Sequence, residues 1–208
     1  MLKVEKTETY GFEAAIRGMR NPLNSWDKSD SHYEWGGKDY CIGEADHALM
    51  MKLAKAGSDH RKFMRQIFVS VDITAPLYWW KEFDTYKVGT TANSCSTMHK
   101  IHANVFDFTD FSHEHLTERS LICLKDTIDE LNFNRALFLQ SNDKTYWHNM
   151  IQLLPSSYNQ LRTVTLNYEV LRNIYHARKN HKLDEWHTLC EWIESLPYSE
   201  LITERGQT

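Results

Sequence analysis

Hydrophobic and polar positions alternate most cleanly between Gln66 and Ile73. Ile67, Val69, Val71 and Ile73 fall on one side, with Gln66, Phe68, Ser70 and Asp72 on the other, and this period of two predicts a half-buried strand. "KVEKTETYGF" alternates more weakly and predicts an opening strand. "GFEAAIRGMR" has helical spacing and stops near Asn21-Pro22. In "EADHALMMKLAKAG", Leu49, Met50, Leu53 and Ala54 form an apolar stripe, and Gly57 is placed to stop the helix. Ala75–Phe83 reads as a short helix with Pro76 in its first turn. Ser112–Leu131 reads as a helix facing Leu116, Leu121, Leu124, Ile128 and Leu131 inward, with Ser112 as its cap. Further helices are expected over Tyr146–Leu154, Val170–Arg178 and Leu183–Ser195. "LRTVTLNY" is strand-like by β-branching, but it is short enough to lead into a helix instead. Pro22–Gly43 is rich in turn formers and reads as one long loop carrying Trp26, Tyr33, Trp35 and Tyr40. These elements predict an α+β fold with a helical majority, in one domain over residues 1–208.

Composition narrows the function classes. A net charge of −4, with Lys and Arg spread along the chain, lacks the basic face of a dedicated DNA or RNA binder. One or two placed arginines still suffice for a single phosphate. Cys41, Cys95, Cys123 and Cys190 form no C-x-x-C pair, and dispersed thiols suit a reducing cytosol. "MLKVEKTETYGFEAAIRG" lacks a signal-peptide apolar core and no apolar run approaches membrane-spanning length, so a cytoplasmic protein is expected.

Candidate chemistry concentrates behind an aromatic block. Tyr78-Trp79-Trp80 is followed by Gly89-Thr90-Thr91-Ala92-Asn93-Ser94-Cys95-Ser96-Thr97, a run of small polar side chains. The run contains neither a P-loop nor a G-x-S-x-G elbow. Its hydroxyls suit hydrogen bonds to a phosphate or a base carbonyl, and a capped turn explains the same composition. His99 and His102 have no acidic or thiol partner at a ligating period, so no metal site is expected. Arg172 and Arg178 are six apart and do not share a helix face. One can therefore face inward while the other faces solvent, and an inward arginine needs a carboxylate, phosphate or carbonyl partner, by default in a structural salt bridge.

These pieces together resemble the flavin-dependent thymidylate synthases, over His60–Ile101 and again over Leu153–Leu196. In that family a histidine opens H-x-S-P-F-E-H, a strand follows, then A-P-hydrophobic and the signature R-H-R-x-x-S-x-N-E-x-S-x-R. Here His60 opens the stretch, "FVSVDITAPLYWW" follows, and Ala75-Pro76 falls in register. The second half of the signature is similar to Asn93-Ser94-Cys95-Ser96-Thr97-Met98, with one extra residue in the loop. Farther on, Leu154-Pro155, Thr165 and Asn167, and then Asn173–Arg178 resemble L-P-x-x-x-x-T, T-x-N-x-R and H-F-L-x-L-R in order. Met19–Pro22 resembles the N-terminal A-R-V-S, with Arg20 in the arginine place.

The resemblance implies an enzyme that methylates dUMP to dTMP, or a close relative of that substrate. FAD would be the cofactor, with NADPH and methylene-tetrahydrofolate as co-substrates, in a homotetramer whose sites lie between subunits. It implies catalytic roles for Ser96 and Arg178, with Arg20 and Ser94 joining them on the nucleotide. Flavin contacts would fall to His60, Tyr86, Lys87, Asn93 and Asn167. The chain also departs from the pattern. Thr85-Tyr86-Lys87 stands where the family has R-H-R, Ser94 replaces its glutamate, and Met98 and Ile151 stand at arginine places. Each lost charge-assisted bond costs roughly 1.5–3 kcal/mol, so two such losses weaken nucleotide binding by about tenfold or more. The alternative reading is therefore a non-catalytic descendant that binds or sequesters a nucleotide.

Overall fold

The computed structural model describes residues 1–37 and 40–204. In chain order its regular elements are β1 (Lys3–Tyr10), α1 (Phe12–Arg20), β2 (His32–Tyr33), β3 (Tyr40–Cys41), α2 (Glu44–Lys55), β4 (Phe68–Pro76), α3 (Leu77–Phe83), β5 (Thr91–Ser94), α4 (Thr97–Lys100), α5 (Glu118–Ser141), α6 (Lys144–Leu153), β6 (Asn159–Asn167), α7 (Tyr168–Arg178), α8 (Asp184–Glu194) and α9 (Glu200–Thr203). The fold is α+β with a helical majority. One sheet runs in the order β1-β4-β6-β5, and β2 pairs with β3 as an antiparallel ribbon.

The strand expected from the alternation is the best-buried part of the sheet. Ile67, Val69, Val71, Ile73 and Ala75 are all sealed, and the strand continues through Pro76. Pro76 is therefore the last strand residue and caps α3 from outside, with φ −68° and ψ 151°, rather than sitting in its first turn. Proline's fixed φ is compatible with extended backbone, and its missing N–H is tolerated at a strand end.

Contacts divide the described residues into two compact units. The first comprises Met1–Lys3, Ile73–Thr85 and Asn93–Thr163. Its core gathers Ile101, Phe106, Phe111, Leu124, Ile128, Leu131 and Met150, with α5 and α6 packed together. The expected helix over Ser112–Leu131 begins later and runs longer. Thr117 caps it by accepting from the Ser120 N–H, and it continues to Ser141. The Ser112 hydroxyl instead donates to Asn159 Oδ1 at 2.8 Å, and Leu116, ahead of the helix, is exposed.

The second unit comprises Val4–Asp72, Tyr86–Ala92 and Val164–Thr208, of which residues 205–208, like 38 and 39, lie outside the described residues. Here α7 packs on α8, α9 and a 3-10 turn over Arg61–Gln66. The segment expected to be one loop, Pro22–Gly43, contains two short 3-10 turns and the β2–β3 ribbon, and residues 38 and 39 of it are among those not described. It is pinned by a buried ion pair: Arg20 Nε donates to Asp46 Oδ1 at 2.5 Å. Arg20 also donates to the Ser25 and Lys28 carbonyls, while Asp46 Oδ2 accepts from the Ser29 and Ser31 hydroxyls and the Asp30 and Ser31 N–H groups. A buried pair of this kind holds only because its remaining hydrogen-bond positions are filled. Burial alone would raise the Asp46 carboxyl, but the bonds from Ser29, Ser31 and Arg20 outweigh it and hold the group below its usual value.

Candidate functional site

Arg178 is the last residue of α7, half-buried, and it is held by rings. Its Nε donates to Tyr86 Oη at 3.0 Å. Its guanidinium carbon lies 4.7 Å from the centroid of Trp186 and 5.7 Å from that of Tyr86. Trp186, on α8, is fully buried and meets Tyr86 at 6.2 Å and His181 at 6.1 Å. Ring faces attract a guanidinium, and together with the Tyr86 hydrogen bond they hold this one in position.

The opposite end of α7 is set by Asn167, whose Oδ1 accepts from the Val170 N–H at 3.1 Å. An N-cap of this kind satisfies one of the helix's open donors. The loop carrying Tyr86 and Lys87 closes onto the same amide. A Cβ on Gly89 would sit 2.8 Å from Asn167 Nδ2, and Gly89 has φ +78°, so only glycine fits there without strain. Next to it, the Thr90 hydroxyl is buried without a hydrogen-bond partner. Asn167 and Arg178 thus bracket a helix of 11 residues, about 16 Å long at 1.5 Å per residue.

Beside the first turn of α7, Glu169 accepts from Arg61 Nε at 3.4 Å and from Arg65 Nε. Arg65 also lines a cavity of about 750 Å³, together with Met19, Leu49, Leu53, His60 and Phe63. Such a volume falls within the roughly 300–1,000 Å³ of small-molecule sites. Leu49 and Leu53 belong to the apolar stripe of α2. They are half-buried and face this cavity, while Met50 and Ala54 of the same stripe are sealed.

The remaining sequence candidates lie in the first unit. Asn93 and Ser94 are exposed on β5, an edge strand. Ser96 is exposed, and its hydroxyl caps α4 by accepting from the His99 N–H at 3.1 Å. The structure therefore groups Tyr86, Asn167 and Arg178 around α7, sets His60 at the cavity, leaves Lys87 exposed, and places Asn93, Ser94 and Ser96 on an open edge. Arg20 is committed to the Asp46 pair, with Nε, Nη1 and Nη2 all engaged. Sequence reasoning missed Trp186 and the Arg61–Glu169–Arg65 cluster, whereas Thr90 belongs to the hydroxyl run it singled out. The four-residue spacing of Arg61 and Arg65 was the available signal for that cluster. Among the described residues no group of His, Cys, Asp or Glu could hold a metal ion. No helix among them is long and apolar enough to cross a membrane.

The architecture is that of the flavin-dependent thymidylate synthases and related pyrimidine-nucleotide methylases. A structure of thymidylate synthase X from Helicobacter pylori with FAD and dUMP matches 98% of this chain and 97% of its own, at a TM-score of 0.70 and 16% identity. A second structure of that enzyme, complexed with FAD and dUMP, matches at 0.69 and 17%, with 97% of each chain covered. The UMP/dUMP methylase PolB from Streptomyces cacaoi, bound with 5-Br dUMP, matches at 0.65 and 13%, covering 98% of this chain and 94% of its own. No protein-family model and no curated protein sequence matches the chain.

Proposed function

We propose that this chain binds a pyrimidine nucleoside monophosphate and methylates its ring, using a flavin and a folate one-carbon donor. The observation that carries the reading is Arg178, held against Tyr86 and Trp186 at the end of α7 in a fold whose solved neighbours hold dUMP or 5-Br dUMP. In this reading Arg178 takes the nucleotide phosphate. Ser96 and Ser94 from the exposed edge of a neighbouring subunit supply hydroxyl donors to the same ligand, which makes a homotetramer the working assembly.

Two features fit a flavin. The cavity beside His60 has the size for a ring system, and the unpartnered Thr90 hydroxyl lies in the loop that carries Tyr86 and Lys87. His60, Tyr86, Lys87, Asn93 and Asn167 would hold it. When bound, FAD supplies hydride transfer from NADPH, and methylene-tetrahydrofolate supplies the carbon. The protein's part is placement and exclusion of water, since the cofactors carry the hard chemistry. Lys87 would face anionic oxygen, and Asn167 would keep the loop closed on α7.

A second reading, a non-catalytic nucleotide-binding descendant, is favoured by specific departures. Ile151 packs against the apolar core of the first unit and Met98 is exposed, and neither side chain offers a phosphate a charge. Absorbance separates the two. The full chain is incubated with FAD and dUMP, and bound flavin is read in the visible. Methylene-tetrahydrofolate and NADPH are then added, and the nucleotide is examined for the mass of one added methyl group. Bound flavin and methylated product support the first reading. Thermal stabilisation by dUMP with no bound flavin supports the second.

A further inference from the structure

A second cavity, of about 390 Å³, opens in the first unit and is lined by His102, Phe138, Asn142, Lys144, Trp147 and His148. Its size lies toward the small end of the roughly 300–1,000 Å³ of ligand sites, so it takes one ring and not a dinucleotide. Its apolar surface is aromatic. Phe138 meets His102 edge-to-face at 4.9 Å, and Trp147 meets His148 at 4.8 Å. Its polar lining is His102, Asn142, Lys144 and His148. Neither Lys144 nor His148 makes an ion pair among the described residues, and the nearby Asp143 carboxylate is turned to the Thr145 N–H.

The frame is built. Trp147 Nε1 donates to the Met98 carbonyl, and Arg135 donates to the His102 and Ala103 carbonyls, so α4, α5 and α6 are tied around the opening. We propose that this cavity is a binding site for a planar ring carrying one anionic group, with Trp147 and Phe138 against the ring and Lys144 on the anion. The site stands independently of the reading for Arg178.

Titration calorimetry on the full chain carrying Arg178→Ala keeps the two sites apart. Its two arms are dTMP, a nucleoside monophosphate, and 4-hydroxybenzoate, an aromatic carboxylate. One of them is expected to bind, identifying the anion's source. Lys144→Ala, shown to melt at the parent temperature, is expected to weaken that binding at least tenfold. Trp147→Phe, which keeps a ring in the wall, is expected to weaken it less. Absence of binding by both probes at millimolar concentration overturns the proposal, as does binding that Lys144→Ala leaves unchanged.

Discussion

At the scale of single residues, buried charge gives the sharpest expectations. Asp46 is fully buried, and its partners hold its carboxyl below the usual value of 3.8. A group whose folded value is depressed stabilises the fold above the unfolded value, and that contribution fades as pH falls through the folded one. Denaturation midpoints measured from pH 6 down to pH 3 should therefore fall more steeply in the native chain than in Asp46→Asn. At neutral pH, Asp46→Ala leaves the Arg20 guanidinium buried and unpaired, and it should cost about 3–5 kcal/mol by urea denaturation. An unchanged midpoint would show that the pair holds nothing. The pair was not legible in the sequence, because nothing in "GMRNP" or "EADHA" announces that residues 20 and 46 meet. Tyr86 was legible only as a departure from a motif. Its use, a hydroxyl accepting from Arg178 beneath a ring contact, required the fold.

At the scale of elements, α7 organises the second unit through its two ends. Asn167→Ala removes the N-cap and should cost about 1 kcal/mol. Gly89→Ala should cost about 1 kcal/mol or more, because it places a Cβ against Asn167 Nδ2 at positive φ. The double variant should lose less than the sum of the two, since removing the amide removes the clash, and contacting residues are not additive. Strict additivity in thermal melts would contradict the packing of this loop on Asn167.

What the sequence disclosed at this scale follows from the range of the causes. The strand around Val69 and Val71 was readable because its burial is strictly periodic. The start of α5 was not, because Ser112 looks like a cap until its hydroxyl is seen engaged by Asn159, 47 residues away. Leu49 and Leu53 were legible as part of a stripe, but what they face was not. An apolar stripe signals a covered face, and periodicity does not distinguish a core neighbour from a cavity.

At the scale of the whole molecule, the fold matches enzymes only 12–17% identical over nearly the full chain. Such a match carries architecture, and the chemistry has to be argued from the side chains. The cavity beside His60 offers a clean separation of roles. Leu53→Trp should fill it and abolish flavin absorbance while leaving nucleotide affinity within a few-fold, because the ring enters open space rather than a packed core. Flavin bound normally by that variant would move the cofactor elsewhere. The resemblance that pointed here rested on short stretches such as Asn93–Met98 and Asn173–Arg178. Their order along the chain anticipated the architecture. Their spacing could not show that Arg178 would be flanked by rings, because Trp186 enters from another helix.

The account rests on the guanidinium of Arg178 as the anchor of a nucleotide phosphate, and calorimetric titration of dUMP into the native chain and into Arg178→Ala, both with FAD present, tests it most directly. Loss of a charge-assisted bond should weaken binding by about tenfold or more. Equal affinity in the two proteins, or no dUMP binding by the native chain, would contradict it.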